Sequence, residues 1–191
     1  MIEVVDAAAA RVMLAAGRLR CPSCGGVLRP WGHSRDRAVV AATGSIRVRL
    51  DRVRCRGCGA THVVLPAELV ARRSYALPVI ATALVAAAGG AGCGAVAAPL
   101  GVPAATVRSW LRRARSNAEQ LYRLGVQTIV ALDQDLLPTT PRTTMLGHAL
   151  DALTAAAVAT MRRLRPDQPA QLWPVINVLT RGRLLAPAGS P

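Results

Sequence analysis

Four of the five cysteines fall into two pairs, Cys21-Pro22-Ser23-Cys24-Gly25-Gly26 and Cys55-Arg56-Gly57-Cys58-Gly59, with thirty residues between the inner members. A Cys-x-x-Cys turn lets two thiolates reach one ion at about 2.3 Å, and two such turns complete a closed tetrahedral Zn²⁺ site. Gly25 and Gly59, each directly after the second cysteine of its pair, permit the tight turn in which backbone N–H groups face the sulfurs. The spacing therefore predicts one structural zinc held by Cys21, Cys24, Cys55 and Cys58, with no coordination position left for water. Four thiolates on a dication leave a net charge of about −2, which Arg20, Arg54 and Arg56 can offset. A redox dithiol, two disulfides or unrelated thiols are the alternatives. The chain opens Met1-Ile2-Glu3 with no basic region ahead of an apolar run, so no export signal is expected and a reducing cytoplasm favours metal. His33 and His62 read as ordinary loop or strand residues, and Cys93 as a small buried one without an activating neighbour.

These cysteines sit in a chain of 191 residues with 24 basic and 10 acidic side chains, a formal net charge of +14, and arginine at every basic position. Such an excess favours polyanionic partners, nucleic acid above all. From Arg20 to His62 there are nine arginines against Asp36 and Asp51. Ile46, Val48 and Leu50 alternate with Arg47, Arg49 and Asp51, which predicts a half-buried strand; the shift to Val53 and Cys55 predicts a bulge near Asp51 or Arg52. Further strands are expected at 27–31, 37–40 and 61–65, the hairpin-rich layout of a zinc ribbon. Arg47, Arg49, Arg52 and Arg54 are then candidate phosphate contacts.

Residues 74–107 carry no charge. Pro78, the glycines from 89 to 94, Pro99, Gly101 and Pro103 break this run into pieces too short for the roughly 20 residues a membrane span requires. Three helices are expected instead: 77–88, 93–100, and one from about Pro103 past Arg115. In the third, Val107, Trp110, Leu111 and Ala114 recur at helical spacing and face a core, while Ala105, Arg108, Ser109, Arg112 and Ser116 fall on the other side. With Leu100-Gly101-Val102 as the turn, this is helix-turn-helix punctuation, and the Arg/Ser front suits a major groove. Ala105, Thr106, Arg108, Ser109, Arg112, Arg113 and Arg115 are the candidate DNA contacts there. An ordinary helical hairpin with a basic face is the alternative, and Pro99 implies a short or kinked second helix.

The strings Cys21-Pro-x-Cys-Gly, Trp31-Gly32-His33-Ser34-Arg35, Arg47 to Arg56 ending in Cys-x-x-Cys-Gly, and Thr61-His62 resemble the zinc-finger front end of bacterial insertion-sequence transposases. The run Ala97-x-x-Leu100-Gly101-Val102-Pro103-x-x-Thr106-Val107-x-x-Trp110-Leu111 is similar to the helix-turn-helix that follows it there, and to uncharacterised actinobacterial proteins carrying both modules. The resemblance covers about residues 20–116. It implies that the four cysteines bind zinc and that 104–115 is a recognition helix. Pro103 stands where a capping Ser is usual in that family.

A transposase also needs an RNase-H-like domain with separated carboxylates holding two metal ions. Beyond Ser116 the acids are Glu119, Asp133, Asp135, Asp151 and Asp167, and the tail reads as helical, so Asp133-Gln134-Asp135 is expected to be a solvated helix face. Leu146, Leu150, Leu153, Ala157, Met161 and Leu164 form one apolar stripe, and Val175, Ile176, Val178 and Leu179 a second short helix. The two pair as a hairpin over the first module's core or mediate a homodimer. The expected architecture is mainly α with a small β zinc ribbon: an N-terminal segment 1–19, zinc ribbon 20–66, linker 67–76, helix-turn-helix 77–118, helical region 119–186 and a disordered end 187–191. The expected function is a non-enzymatic, cytoplasmic, nucleoid-associated protein binding double-stranded DNA, with no small-molecule substrate. The alternatives are a truncated or split transposase or nuclease using Asp133 and Asp135, and a protein-interaction or membrane-surface module.

Overall fold

A computed structural model describes residues 1–164 and 171–187 and divides into two compact units, 1–76 and 77–191. The first unit begins with strand β1 (Ile2–Val4) and helix α1 (Ala7–Ala15), whose N-terminus is capped by Asp6 accepting from the Ala9 N–H at 2.9 Å. Strands β2 (Leu28–His33), β3 (Arg37–Ala41), β4 (Gly44–Val48), β5 (Asp51–Cys55) and β6 (Thr61–Pro66) follow. They form a four-stranded sheet in the order β1-β6-β5-β2, with β1 parallel to β6 and the other pairs antiparallel, and a separate β3–β4 hairpin.

Several expectations change here. The run expected as one bulged strand through residues 46–55 is two strands in two sheets, broken at residues 49–50; the irregularity lies on β2, between Pro30 and His33. Val48 and Leu50 pack on the buried Val39, Leu65, Leu69 and Ala76, but Ile46 is 42% exposed. The segment 1–19 is also part of the fold, since Ile2, Val4, Leu14 and Leu19 pack on the cluster of Leu28, Val53 and Val64. Residues 67–76 likewise belong to the first unit, with Ala67, Leu69, Val70 and Ala76 buried.

The second unit is helical: α2 (Leu77–Ala88), α3 (Cys93–Leu100), α4 (Ala104–Leu132), α5 (Met145–Leu164) and α6 (Leu172–Leu179). Pro78 sits in the first turn of α2, where its missing N–H costs nothing. Helix α3 has only eight residues, carries Pro99 near its end, and closes on left-handed Gly101 at φ 59°. That ending satisfies its last carbonyls, with the Gly101 N–H donating to Ala98 and that of Val102 to Ala97. Helix α4 runs 29 residues and passes straight through the expected boundary at 118/119. Its length follows from one continuous apolar stripe, Val107, Trp110, Leu111, Ala114, Ala118, Leu121, Gly125 and Ile129, all buried. Asp133 ends α4 in an extended conformation and Asp135 lies in a single 3₁₀ turn, so this pair marks a helix end rather than a helix face. Helix α5 packs along α4, and α6 against α5 and α2. Asp167 and residues 188–191 of the expected frayed end lie outside the described residues.

The α4–α5 crossing is set by Gly125. A Cβ there would lie 2.8 Å from both the backbone carbon and the Cβ of Ala152, a clash that only a shift of a helix backbone could relieve. In a solvent-facing helix Gly→Ala gains up to about 1 kcal/mol, whereas Gly125→Ala should destabilise by about 1–3 kcal/mol. Denaturant unfolding measures this, and a Gly125→Ala chain as stable as the parent would contradict the close approach.

Candidate metal centre

The two Cys-x-x-Cys turns fold alike because their backbones solve the same problem. In the first, the Cys21 N–H donates to Gly26 O at 2.8 Å; in the second, the Cys55 N–H donates to Ala60 O at 2.9 Å, the same five-residue reach. Gly25 (φ 70°) and Gly59 (φ 74°) occupy the left-handed position that closes each turn, as their placement predicted. The turns meet because Leu28 on β2 pairs with Cys55 on β5 and the Arg56 N–H donates to Val27 O at 3.0 Å. In each turn the first cysteine is buried and the second exposed.

The four sulfurs lie within 4.8 Å of one another. Cys21 and Cys58 are separated by 3.8 Å, and Cys24 and Cys55 by 3.4 Å. A tetrahedron with thiolates about 2.3 Å from a central zinc has edges of about 3.8 Å, so the cage has the size a metal ion requires. Among the described residues, no other group of three or more Cys, His, Asp and Glu side chains could hold one.

The electrostatics agree with the geometry. The Cys58 N–H leads the groups that pull Cys55 down to about 6, with Gly57 N–H at 3.3 Å from its sulfur also contributing. Burial opposes ionisation of Cys21, but the N–H groups of Ser23 and Cys24, with His62 and Cys58, outweigh it and bring that thiol to about 7. The Ala60 N–H favours the Cys58 thiolate, yet Cys24, burial, Cys55 and Cys21 together push it up to about 11. The two buried thiols are thus poised to ionise, and a cation among the sulfurs would draw Cys58 to the thiolate as well. Bound there, a metal ion would be held by Cys21, Cys24, Cys55 and Cys58 and would serve as a cross-link.

Two residues at this centre escaped the sequence reading. His62 is buried, with Nε2 3.4 Å from Cys21 Sγ, placed to donate to that sulfur rather than to act as an ordinary strand residue. The signal was period-two alternation, which turns His62 inward with Val64. At Gly26 a Cβ would sit 3.0 Å from Cys55 Sγ and 3.3 Å from Cys24 Sγ, so the cage itself requires glycine. His33 lies elsewhere, its Nε2 3.3 Å from Asp51 Oδ1, while Asp51 Oδ2 accepts from Arg11 at 2.8 Å. Cys93 is half-buried at the start of α3 and is not one of the clustered cysteines.

In the first unit the candidate DNA contacts fall on two sheets. Arg47 and Arg49 lie on and just after β4, and Arg52 and Arg54 on β5 of the other sheet, so they are not one alternating row. Arg49 pairs with Asp36 at 3.9 Å, and Arg54 Nε donates to Gly59 O at 3.2 Å. On α4, Ala105, Arg108, Arg112 and Arg115 are exposed, while Thr106 and Ser109 are half-buried. Arg113 departs from its expected role, being half-buried with a sealed Nε that has no hydrogen-bond partner among the described residues. Ser116 is exposed, and its hydroxyl donates to Arg112 O at 2.9 Å.

A family described as "Domain of unknown function (DUF6431)" matches residues 21–110, from the first cysteine of the cage to Trp110 in α4. No curated protein and no solved structure matches the chain. Among the described residues, no helix is long and apolar enough to cross a membrane.

Elemental analysis of the purified chain should find one metal ion per polypeptide, and Cys55→Ser should lose both the ion and the folded first unit. Gly26→Ala should weaken retention against a chelator while leaving all four ligands in place. A folded chain free of metal would contradict the assignment.

Proposed function

We propose that this protein is a DNA-binding protein, a transposase-derived regulator or accessory factor of a mobile element. In this reading the metal is zinc and the first unit is a zinc ribbon whose arginines neutralise phosphates. Helices α3 and α4 are a helix-turn-helix, with the start of α4 as recognition helix in the major groove of duplex DNA. The observation that carries the reading is the first half of α4. Val107, Trp110, Leu111 and Ala114 are buried behind it, while Arg108, Arg112 and Arg115 are exposed along its front with no ion pair among the described residues.

Three arginines on one helix face repel one another, and the burial of the opposite face prevents their escape by rotation. A polyanion relieves that repulsion, and Arg108, nearest the helix start, is where base edges come within reach. Left-handed Gly101 supplies the tight turn between α3 and α4. The family match supports treating cage and helices together, because it runs continuously from one into the other. The resemblance of both motif strings to the front end of insertion-sequence transposases suggests a mobile-element origin. For a regulator rather than a catalyst speaks the engagement of the tail carboxylates: Asp133 lies 3.4 Å from Arg162, and Asp151 accepts from Arg142 at 2.5 and 2.9 Å.

Affinity for duplex DNA should fall steeply with salt, with a log–log slope of about −0.9 for each phosphate neutralised. Replacing Arg108, Arg112 and Arg115 together by alanine should flatten that slope by about 0.9 for each phosphate left without its arginine, and helix content should not change. Salt-titrated fluorescence anisotropy measures the slope and circular dichroism the helix content; an unaltered slope would exclude this face from the interface.

A further inference from the structure

The outward side of the four-stranded sheet carries a feature that metal binding does not explain. Arg29 on β2 is directly opposite Arg54 on β5, which is opposite Thr61 on β6. Trp31, two residues beyond Arg29, shares this side, with the guanidinium carbons of Arg29 and Arg54 5.1 Å and 4.7 Å from its ring centroid. Trp31 is 43% exposed, whereas Trp110 is buried. In a chain with no Phe and only three Trp and two Tyr, leaving an indole in water forgoes one of the few large rings available for a core.

Arg29 and Arg54 lie over the ring, and Arg54 Nε also donates to Gly59 O. Among the described residues, Arg29, Arg54 and Arg56 make no ion pair. All three line a shallow cavity of about 500 Å³ beside Gly57, Cys58 and Gly59. Neutralising the tetra-thiolate cage accounts for Arg54 and Arg56, which flank Cys55. It leaves unexplained why Arg29 faces another arginine across the strands, a destabilising arrangement, and why both gather at an exposed indole.

We propose that this face binds single-stranded DNA, an unpaired base stacking on Trp31 while Arg29, Arg54 and Arg56 hold the flanking phosphates. An exposed aromatic ring bordered by arginines that line a basic cavity with no acidic residue in its lining is the arrangement that recognises unstacked bases, since every base has a π-face and every linkage an anion. A duplex cannot use it in the same way, because its base faces are covered by their neighbours in the stack. The inference rests on the DNA-binding reading and assigns its two units different forms of DNA: duplex to the start of α4, an unpaired strand to the sheet.

The test uses the full, metal-loaded chain and three labelled probes: an oligothymidylate of about 12 nucleotides, the same backbone with abasic sites throughout, and a blunt duplex. Trp31→Ala should weaken oligothymidylate binding about fivefold or more, leave the abasic and duplex affinities unchanged, and retain the metal. Trp31→Phe should restore binding to within a few-fold of the parent. Arg29→Ala should weaken oligothymidylate and abasic strand alike, and Arg108→Ala should weaken the duplex alone. The proposal is overturned if the parent does not bind oligothymidylate, if Trp31→Ala leaves that affinity intact, or if it weakens the abasic strand equally. A parent that fails to bind the duplex refutes the recognition-helix reading, and the oligothymidylate series still decides the role of Trp31.

Discussion

The first unit is organised around four sulfurs held within 4.8 Å of one another. Backbone N–H groups draw Cys55 down to about 6, while Cys24 leads the neighbours that push Cys58 up to about 11, and a cation at the centre would favour all four thiolates. Much of the surrounding structure serves that cage. The β2–β5 register brings the two turns together, Gly25 and Gly59 supply their left-handed positions, Gly26 keeps a side chain out of the cage wall, and His62 turns inward towards Cys21. The core it supports is small, built from Leu28, Val53, Val64 and a few half-buried neighbours. A metal cross-link there would supply what a core of that size cannot.

The same constraint shapes the outer surface. A cage with excess negative charge tolerates arginines nearby, so Arg54 and Arg56 can stand beside it without acidic partners. The second unit reaches a comparable surface by other means: α4 buries a stripe of Val, Trp, Leu and Ala, and its opposite face is left to arginine. In both units packing fixes which side carries the arginines: a helix whose apolar stripe is buried, and strands held in register.

Much of this was legible in the residues. The cage was readable because Cys-x-x-Cys-Gly names both the ligands and the turn, and β2, β3 and β6 fall within two residues or so of the strands expected at 27–31, 37–40 and 61–65. Helices α2 and α3 were bounded by their glycines and prolines. What escaped reading has physical causes. An offset of one in the alternation near Asp51 is satisfied equally by a bulge or by a change of sheet, and the chain changes sheet. Strand β1 has three residues and pairs with residues 64–66, so nothing local announces it. Gly125 reads as a weak point in a helix until Ala152 is seen against it. Arg113, on the flank of the α4 stripe, looked as free as Arg112 because helical spacing alone does not say how wide the packing against neighbouring helices is.

The central claim is that the arginine face of α4 reads duplex DNA, and the most direct measurement is selection of bound fragments from a random-sequence duplex library with the metal-loaded chain. The account predicts enrichment of a defined motif that disappears with Arg108→Ala. A pool that stays random through successive rounds, under conditions where the protein retains its metal and its fold, would contradict it.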